Sequence, residues 1–140
     1  YEYAQDMDIT ICADGHDLTS GYSILFGGFN NTVTAIFRKD KKWVVPAVGR
    51  EMFIERSGSL HRKWYHIAVS RKGNTFEVRV NDNLVLSGTD PNPLLGDRWA
   101  LWTHNFGMMI ARVRVTAEQI GDRESPDVPW KETTQRIYGD

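Results

Sequence analysis

The residues best suited to ligand chemistry in this sequence are Trp102, His104 and Asn105. An indole ring stacks on the C–H face of a sugar, and imidazole and amide groups hydrogen-bond to its hydroxyls. Side chains alternate across a strand, so placing Leu101 in the core puts Trp102 and His104 on the opposite face. The pattern predicts a shallow carbohydrate-binding face here. Because indoles are commonly buried, a core role for Trp102 is the alternative.

Basic and phenolic side chains extend this hypothesis to Arg38, Arg79 and Tyr22. A guanidinium can make bidentate contacts with the carboxylate or sulfate of an acidic sugar, and Arg112 and Arg114 could join the set. Tyr22 could flank the same face. The alternatives are a solvated strand face of alternating charges for the arginines and a half-buried strand position for the tyrosine.

Three glutamates make a glycoside-acting enzyme an alternative hypothesis. Such chemistry needs two carboxyl groups about 5–9 Å apart across a cleft. Glu51 and Glu55 would share a strand face, and Glu77 is a third candidate. These three residues are therefore the candidate acids and bases if the protein is catalytic.

Metal and nucleotide chemistry have little support in the sequence. The four histidines lack metal-ligand spacing, and the single cysteine, Cys12, can form neither an internal disulfide nor a thiolate zinc site. No P-loop, nucleophile elbow or dinucleotide fingerprint is present. Asp14, Asp17 and Asp82 fall in predicted loops and could join backbone carbonyls around calcium, although such residues commonly just form turns. We expect no cofactor, with structural calcium as an option.

Composition and charge indicate one globular domain over residues 1–140. Apolar residues make up 41% and charged residues 25%, which is typical of a chain that folds. The formal net charge of -1 removes the long-range field that attracts nucleic acid or anionic membranes. The longest apolar stretches are far below the ~20 residues of a membrane helix. Residues 121–140 are predicted to form a polar extension.

The elements that must position the candidate residues are predicted to be β-strands. Period-two alternation recurs in short runs that Gly, Asn and Asp clusters separate, which is typical of sandwiches and barrels. Trp43 and Trp64 are expected in the core. The predicted strands are 7–12, 22–26, 33–38, 43–45, 52–54, 64–71, 75–80, 84–86, 98–103 and 109–115.

A succession of motifs from Trp64 onward resembles the concanavalin A-like lectin and glucanase superfamily. It consists of Trp64-x-x-Ile67-x-Val69-x-Arg71, a Gly-Asn turn, Phe76-x-Val78-x-Val80-Asn81-Asp82, Asp90-Pro91-x-Pro93-Leu94-x-Gly96, Ala100-Leu101-Trp102 and Ala111-Arg112-Val113-Arg114-Val115. That superfamily includes laminin-G-like domains, family-16-type glucanases and keto-disaccharide hydrolases. The resemblance implies an all-β fold, a two-sheet antiparallel jelly-roll sandwich.

The resemblance also frames the function. It implies a lectin-like domain that binds a glycan or polysaccharide on a concave sheet face, in an extracellular or periplasmic location. A glycoside hydrolase is the first alternative, but the family-16-type signature Glu-x-Asp-x-x-Glu is absent, since Asp6-Met7-Asp8 lacks the glutamates. A structural or protein-interaction module is the second.

The start of the chain departs from the superfamily pattern. Related domains usually open with additional strands, so either this domain is minimal or part of its sandwich lies upstream. An unpaired sheet edge would then favour self-association or contact with an upstream segment.

Overall fold

The computed structural model describes residues 7–31, 33–39, 41–44, 64–104 and 107–119. Eight strands and two very short helices lie in these ranges. In chain order they are β1 (Met7–Ala13), a 3-10 helix (Leu18–Ser20), β2 (Tyr22–Gly27), α1 (Gly28–Asn31), β3 (Val33–Arg38), β4 (Lys41–Val44), β5 (Ile67–Lys72), β6 (Thr75–Val80), β7 (Asn83–Thr89) and β8 (Arg98–Trp102).

The strands form two antiparallel sheets. The larger sheet has the order β4-β3-β2-β1-β8, and the smaller has the order β5-β6-β7. Tight turns join β5 to β6 and β6 to β7, where Gly73, Asn81 and Asp82 adopt the positive φ angles that such turns require. The predicted all-β, two-sheet antiparallel architecture is confirmed. In the described part of the chain, no helix is long and apolar enough to cross a membrane.

The main hydrophobic core lies between the two sheets. Side chains of β2 and β3 meet those of β6 and β7, and the central residues are Tyr22, Ile24, Ile36, Phe76, Val78 and Leu86. Strand alternation explains why apolar side chains of the larger sheet gather on its inner face. Ile9, Ile24 and Ile36 are paired in register across β1, β2 and β3 and therefore share that face. The predicted inward orientation of Phe76 and Val78 is confirmed.

A second cluster covers the opposite face of the larger sheet. Leu25, Ala35, Phe37 and Trp102 are buried there, and Leu18 and Phe29 pack against them from the 3-10 helix and α1. Asp8, Thr10 and Ser23 are also buried on this face. The larger sheet is therefore buried on both faces along β2 and β3.

Three predictions for the chain from Trp64 onward are wrong. Residues 109–115 form no strand and are largely exposed, because alternation gives a strand only where a partner edge supplies hydrogen bonds. Strand β5 begins at Ile67 rather than Trp64, and the Trp64 indole is exposed rather than in the core. The predicted strand 52–54 lies outside the described residues.

Candidate functional site

An open depression lies at the end of the sandwich where β1 and β3 finish and β8 begins. Its volume is about 430 Å³, which falls within the range of about 300–1,000 Å³ typical of small-molecule sites. Three segments form it: the connection from β1 to β2, the turn after β3, and the loop between β7 and β8. The lining residues are Cys12, Asp14, Asp17, Thr19, Ser20, Lys39, Leu94, Leu95 and Gly96.

Asp14 organises the first of these segments. Its Oδ1 accepts hydrogen bonds from the His16 amide (2.8 Å), the Asp17 amide (3.1 Å) and the Ser20 hydroxyl (2.9 Å). Burial alone would raise the pKa of Asp14, but these hydrogen bonds outweigh it and hold the pKa below the ordinary 3.8. The carboxylate at the rim of the depression is therefore ionised at neutral pH.

Asp17 begins the 3-10 helix as its N-cap. Its Oδ1 accepts hydrogen bonds from the Thr19 amide and the Thr19 hydroxyl, both at 2.7 Å. The Ser20 amide returns to the Asp17 carbonyl at 3.0 Å. These short local bonds hold two carboxylates and two hydroxyls in a defined arrangement along one wall of the depression.

The backbone at the floor of the depression is unusual. Cys12 has φ of 57° at the point where the pairing of β1 with β8 shifts register, so a β-bulge turns this part of β1. Gly96 lies directly against the bulge. A Cβ on Gly96 would collide with the carbonyl oxygens of Cys12 and Ala13. The absence of a side chain at Gly96 therefore lets the loop between β7 and β8 close onto β1.

A buried polar cluster formed by Tyr22, Arg38 and Asp90 holds the same loop. Asp90, only 5% exposed, accepts through Oδ2 from the Tyr22 hydroxyl at 2.6 Å and from Arg38 Nε at 2.7 Å. Its Oδ1 accepts from the Asn92 amide at 2.9 Å. Burial raises the pKa of Asp90, yet the hydrogen bonds from Tyr22 and Arg38 outweigh it and lower that pKa. For Tyr22, burial and the neighbouring Asp90 both raise the pKa.

Further bonds extend this cluster along the loop. The Tyr22 hydroxyl accepts from the Leu94 amide at 3.0 Å, and Arg38 Nη2 donates to the Asn92 carbonyl at 2.9 Å. From the smaller sheet, Arg71 Nη1 donates to the Leu94 carbonyl at 2.9 Å. Leu94 and its neighbours are thus anchored to both sheets, and one wall of the depression is built on a fixed backbone.

Trp102 lies on the face opposite Leu101, as predicted, but that face is not an open groove. The indole is 8% exposed and packs with Leu25 and Phe37. Its Nε1 donates to Thr10 Oγ1 at 2.9 Å. Because the ring is packed and its donor is satisfied, Trp102 is a core residue, and an exposed sugar-stacking role for it is not supported.

Among the remaining predicted contacts, Tyr22 and Arg38 meet at Asp90, whereas Arg79 and His104 lie elsewhere. Tyr22 is fully buried between the sheets, and Arg38 forms an ion pair with Asp90. Arg79 lies on the outer face of the smaller sheet, where its Nη2 is 3.3 Å from the Glu77 carboxylate. His104 is partly buried beyond the end of β8. The structure therefore does not bring these residues together with Trp102 into one binding face.

Of the catalytic and metal candidates, the structure describes Glu77, Asp14, Asp17 and Asp82. Glu77 is on the outer face of the smaller sheet, whereas Glu51, Glu55 and Asn105 lie outside the described residues. Asp14 and Asp17 line the depression. Asp82 is in the turn between β6 and β7, with its Oδ1 3.7 Å from His66 Nδ1. Among the residues that the structure describes, no group of three or more His, Cys, Asp or Glu side chains could hold a metal.

Sequence reasoning missed the roles of Asp90, Lys39 and Leu94. The Asp90-Pro91-x-Pro93 string marked an irregular connection, but a turn motif does not show which strand its carboxylate faces. A buried Asp needs donors, and its two side-chain donors, Tyr22 and Arg38, are more than fifty residues away along the chain. Only the folded sandwich joins them.

Comparison of the chain with protein-family models, with curated proteins and with solved structures gave no match.

Proposed function

We propose that this chain is a carbohydrate-binding domain built on a concanavalin-like jelly-roll sandwich, and that the depression at the end of the sandwich is its glycan site. The two antiparallel sheets are consistent with that architecture. The observation that carries the proposal is the lining of the depression, where carboxylates, hydroxyls and one ammonium group surround two leucines. A secreted location, extracellular or periplasmic, follows as part of the proposal.

The lining suits a sugar because it offers both polar and apolar contacts. Asp14 and Asp17 can accept hydrogen bonds from sugar hydroxyls, and Lys39 can donate to them. Leu94 and Leu95 supply an apolar surface for the C–H face of the ring. Leu95 is 84% exposed, so its side chain is accessible to a ligand from solvent.

An aliphatic wall makes weaker contacts with a sugar than an aromatic platform, because the attraction of a π face is lost. The depression is also open to solvent, so a bound sugar keeps part of its hydration. We therefore expect dissociation constants on the order of 0.1–1 mM for a single sugar unit, or about -4 to -5.5 kcal/mol of binding free energy. Longer oligosaccharides should bind more tightly if they extend along the loop from Leu94 to Gly96.

The test is a glycan microarray followed by calorimetric titration of the best oligosaccharide. Leu95→Ala and Lys39→Asn should each weaken binding about 3- to 10-fold, since about 0.7–1.4 kcal/mol of contact is lost. Asn suits position 39 because Lys39 has φ of 56°, a conformation that Asn tolerates. Leu84→Ala, on the outer face of the smaller sheet, is the control and should bind like the parent. Absence of binding to every glycan, or unchanged affinity in both variants, would refute the proposal.

A further inference from the structure

The two sheets differ in width, and this leaves part of the larger sheet uncovered by described residues. The larger sheet has five strands and the smaller has three. Strand β7 contacts β4, and the core joins β6 and β7 to β2 and β3, so the smaller sheet is offset toward the β4 edge. Beyond β5, no described strand continues the smaller sheet over β8.

The inner face of β8 shows the consequence of this offset. Leu101 is paired in register with Ile9, and both side chains are only partly buried. Trp99 lies on the same face and is 46% exposed. An apolar strip along β1 and β8 is therefore accessible beside β5. Within the described ranges, β5 pairs with β6 alone, so its other edge offers backbone hydrogen bonds next to this strip.

The gap beside β5, above the apolar strip on β1 and β8, could hold one more strand. Residues 109–115 have the alternating pattern that such a strand requires. Val113 and Val115, each 48% exposed, alternate with Arg112 and Arg114. In an extended strand, the two valines would point to one face and the two arginines to the other. Seven extended residues span about 23 Å, slightly more than the six-residue strand β5.

Charge complementarity supports the same placement. The outer face of β5 carries the small residues Ala68 and Ser70, and Ser70 is paired in register with Glu77 on β6. An arginine on a strand added beside β5 could extend across these small side chains toward the Glu77 carboxylate. Glu77 is partly exposed and so is accessible to a second guanidinium besides that of Arg79.

We propose that residues 109–115 of one copy add as a fourth strand beside β5 of a second copy, with Val113 and Val115 covering the strip on β1 and β8. The segment is exposed in its own chain, and each copy carries both the segment and the gap. Reciprocal addition therefore gives a closed dimer with two-fold symmetry. The formal net charge of -1 per chain opposes such pairing only weakly.

Light scattering coupled to size-exclusion chromatography tests the association. The parent chain should have twice its 16.0 kDa mass at high protein concentration. Val113→Asp and Val115→Asp should shift it to the monomer, because each places a carboxylate against the apolar strip. Leu84→Asp, an apolar-to-acid change on the outer face of the smaller sheet, is the matched control and should remain dimeric. A monomeric parent, or a dimer that survives both valine changes, would overturn the proposal.

Disulfide cross-linking tests the geometry independently. In a Cys12→Ser background, a Ser70→Cys chain mixed with an Arg112→Cys or Arg114→Cys chain should give a disulfide-linked heterodimer on oxidation, because adjacent strands satisfy disulfide distances. Thr75→Cys, one strand further from the added segment, should give none. If chains that carry both the Ser70→Cys and Arg114→Cys changes instead cross-link internally as monomers, the segment pairs within its own chain and the exchange between copies is disproved.

Discussion

Replacement of Asp90 by alanine should destabilise the sandwich strongly. The carboxylate accepts three hydrogen bonds, from the Tyr22 hydroxyl, Arg38 Nε and the Asn92 amide, at 2.6, 2.7 and 2.9 Å. Its removal leaves a buried phenol and a partly buried guanidinium without their acceptor. Hydrogen bonds to charged groups contribute about 1.5–3 kcal/mol each, and breaking a buried ion pair costs about 3–5 kcal/mol. Because the Arg38 side chain is 32% exposed, we take the lower end, about 3 kcal/mol.

Urea denaturation followed by tryptophan fluorescence and far-ultraviolet circular dichroism measures this loss. A loss of about 3 kcal/mol is a large part of the roughly 5–15 kcal/mol of a typical domain and lowers Tm by about 10 °C. Asp97→Asn is the control, since Asp97 is exposed beside Arg98 and should change stability by less than about 0.5 kcal/mol. A Tyr22→Phe, Asp90→Ala double-mutant cycle separates the phenol contact. If Asp90→Ala lost less than about 1 kcal/mol, the reasoning would be refuted.

Three further predictions concern acid stability and packing. Folding lowers the pKa of Asp90, so its contribution to the free energy of unfolding is present above the ordinary value of 3.8 and is lost as pH falls through the lower folded pKa. The free energy of unfolding, measured between pH 6 and pH 2.5, should therefore fall in the parent and fall less in Asp90→Asn. Trp102→Phe removes the donor to Thr10 and should cost about 1–2 kcal/mol by urea denaturation, with loss of a blue-shifted emission component; an unchanged midpoint would contradict the buried assignment. Gly96→Ala must displace the loop from Ala13, so it should lower Tm by several degrees and weaken glycan binding, whereas retention of both properties would show that the close approach is dispensable.

The all-β architecture follows directly from local patterning. Alternation in the runs around Ile9, Ile24 and Val78 assigns each strand one apolar face, and the Gly, Asn and Asp clusters between the runs supply the turns. The same rule correctly placed Trp102 opposite Leu101. These features depend on near neighbours in the chain, so they can be read from the sequence.

The burial of the outer face of the larger sheet could not be predicted from alternation. Alternation states that Trp102 and Leu101 point in opposite directions, but it does not state whether either direction leads to solvent. The 3-10 helix and α1 place Leu18 and Phe29 over that face, and a partner for the indole N–H comes from Thr10 on β1. For this reason, the face of β8 that carries Trp102 was expected to be a binding surface but is part of the core.

The sequence by itself determined the strands, their turns and the division of each strand into two faces, because a period of two residues is a local property of extended backbone. The tertiary structure alone decided that Asp90 joins Tyr22 and Arg38, and that the depression forms between three distant loops. It also decided that residues 109–115 form no strand with the other residues that the structure describes. Each of these depends on which strands become neighbours and how far one sheet extends over the other. That choice is made by the packing of the whole chain, where burying one apolar face determines what remains exposed elsewhere.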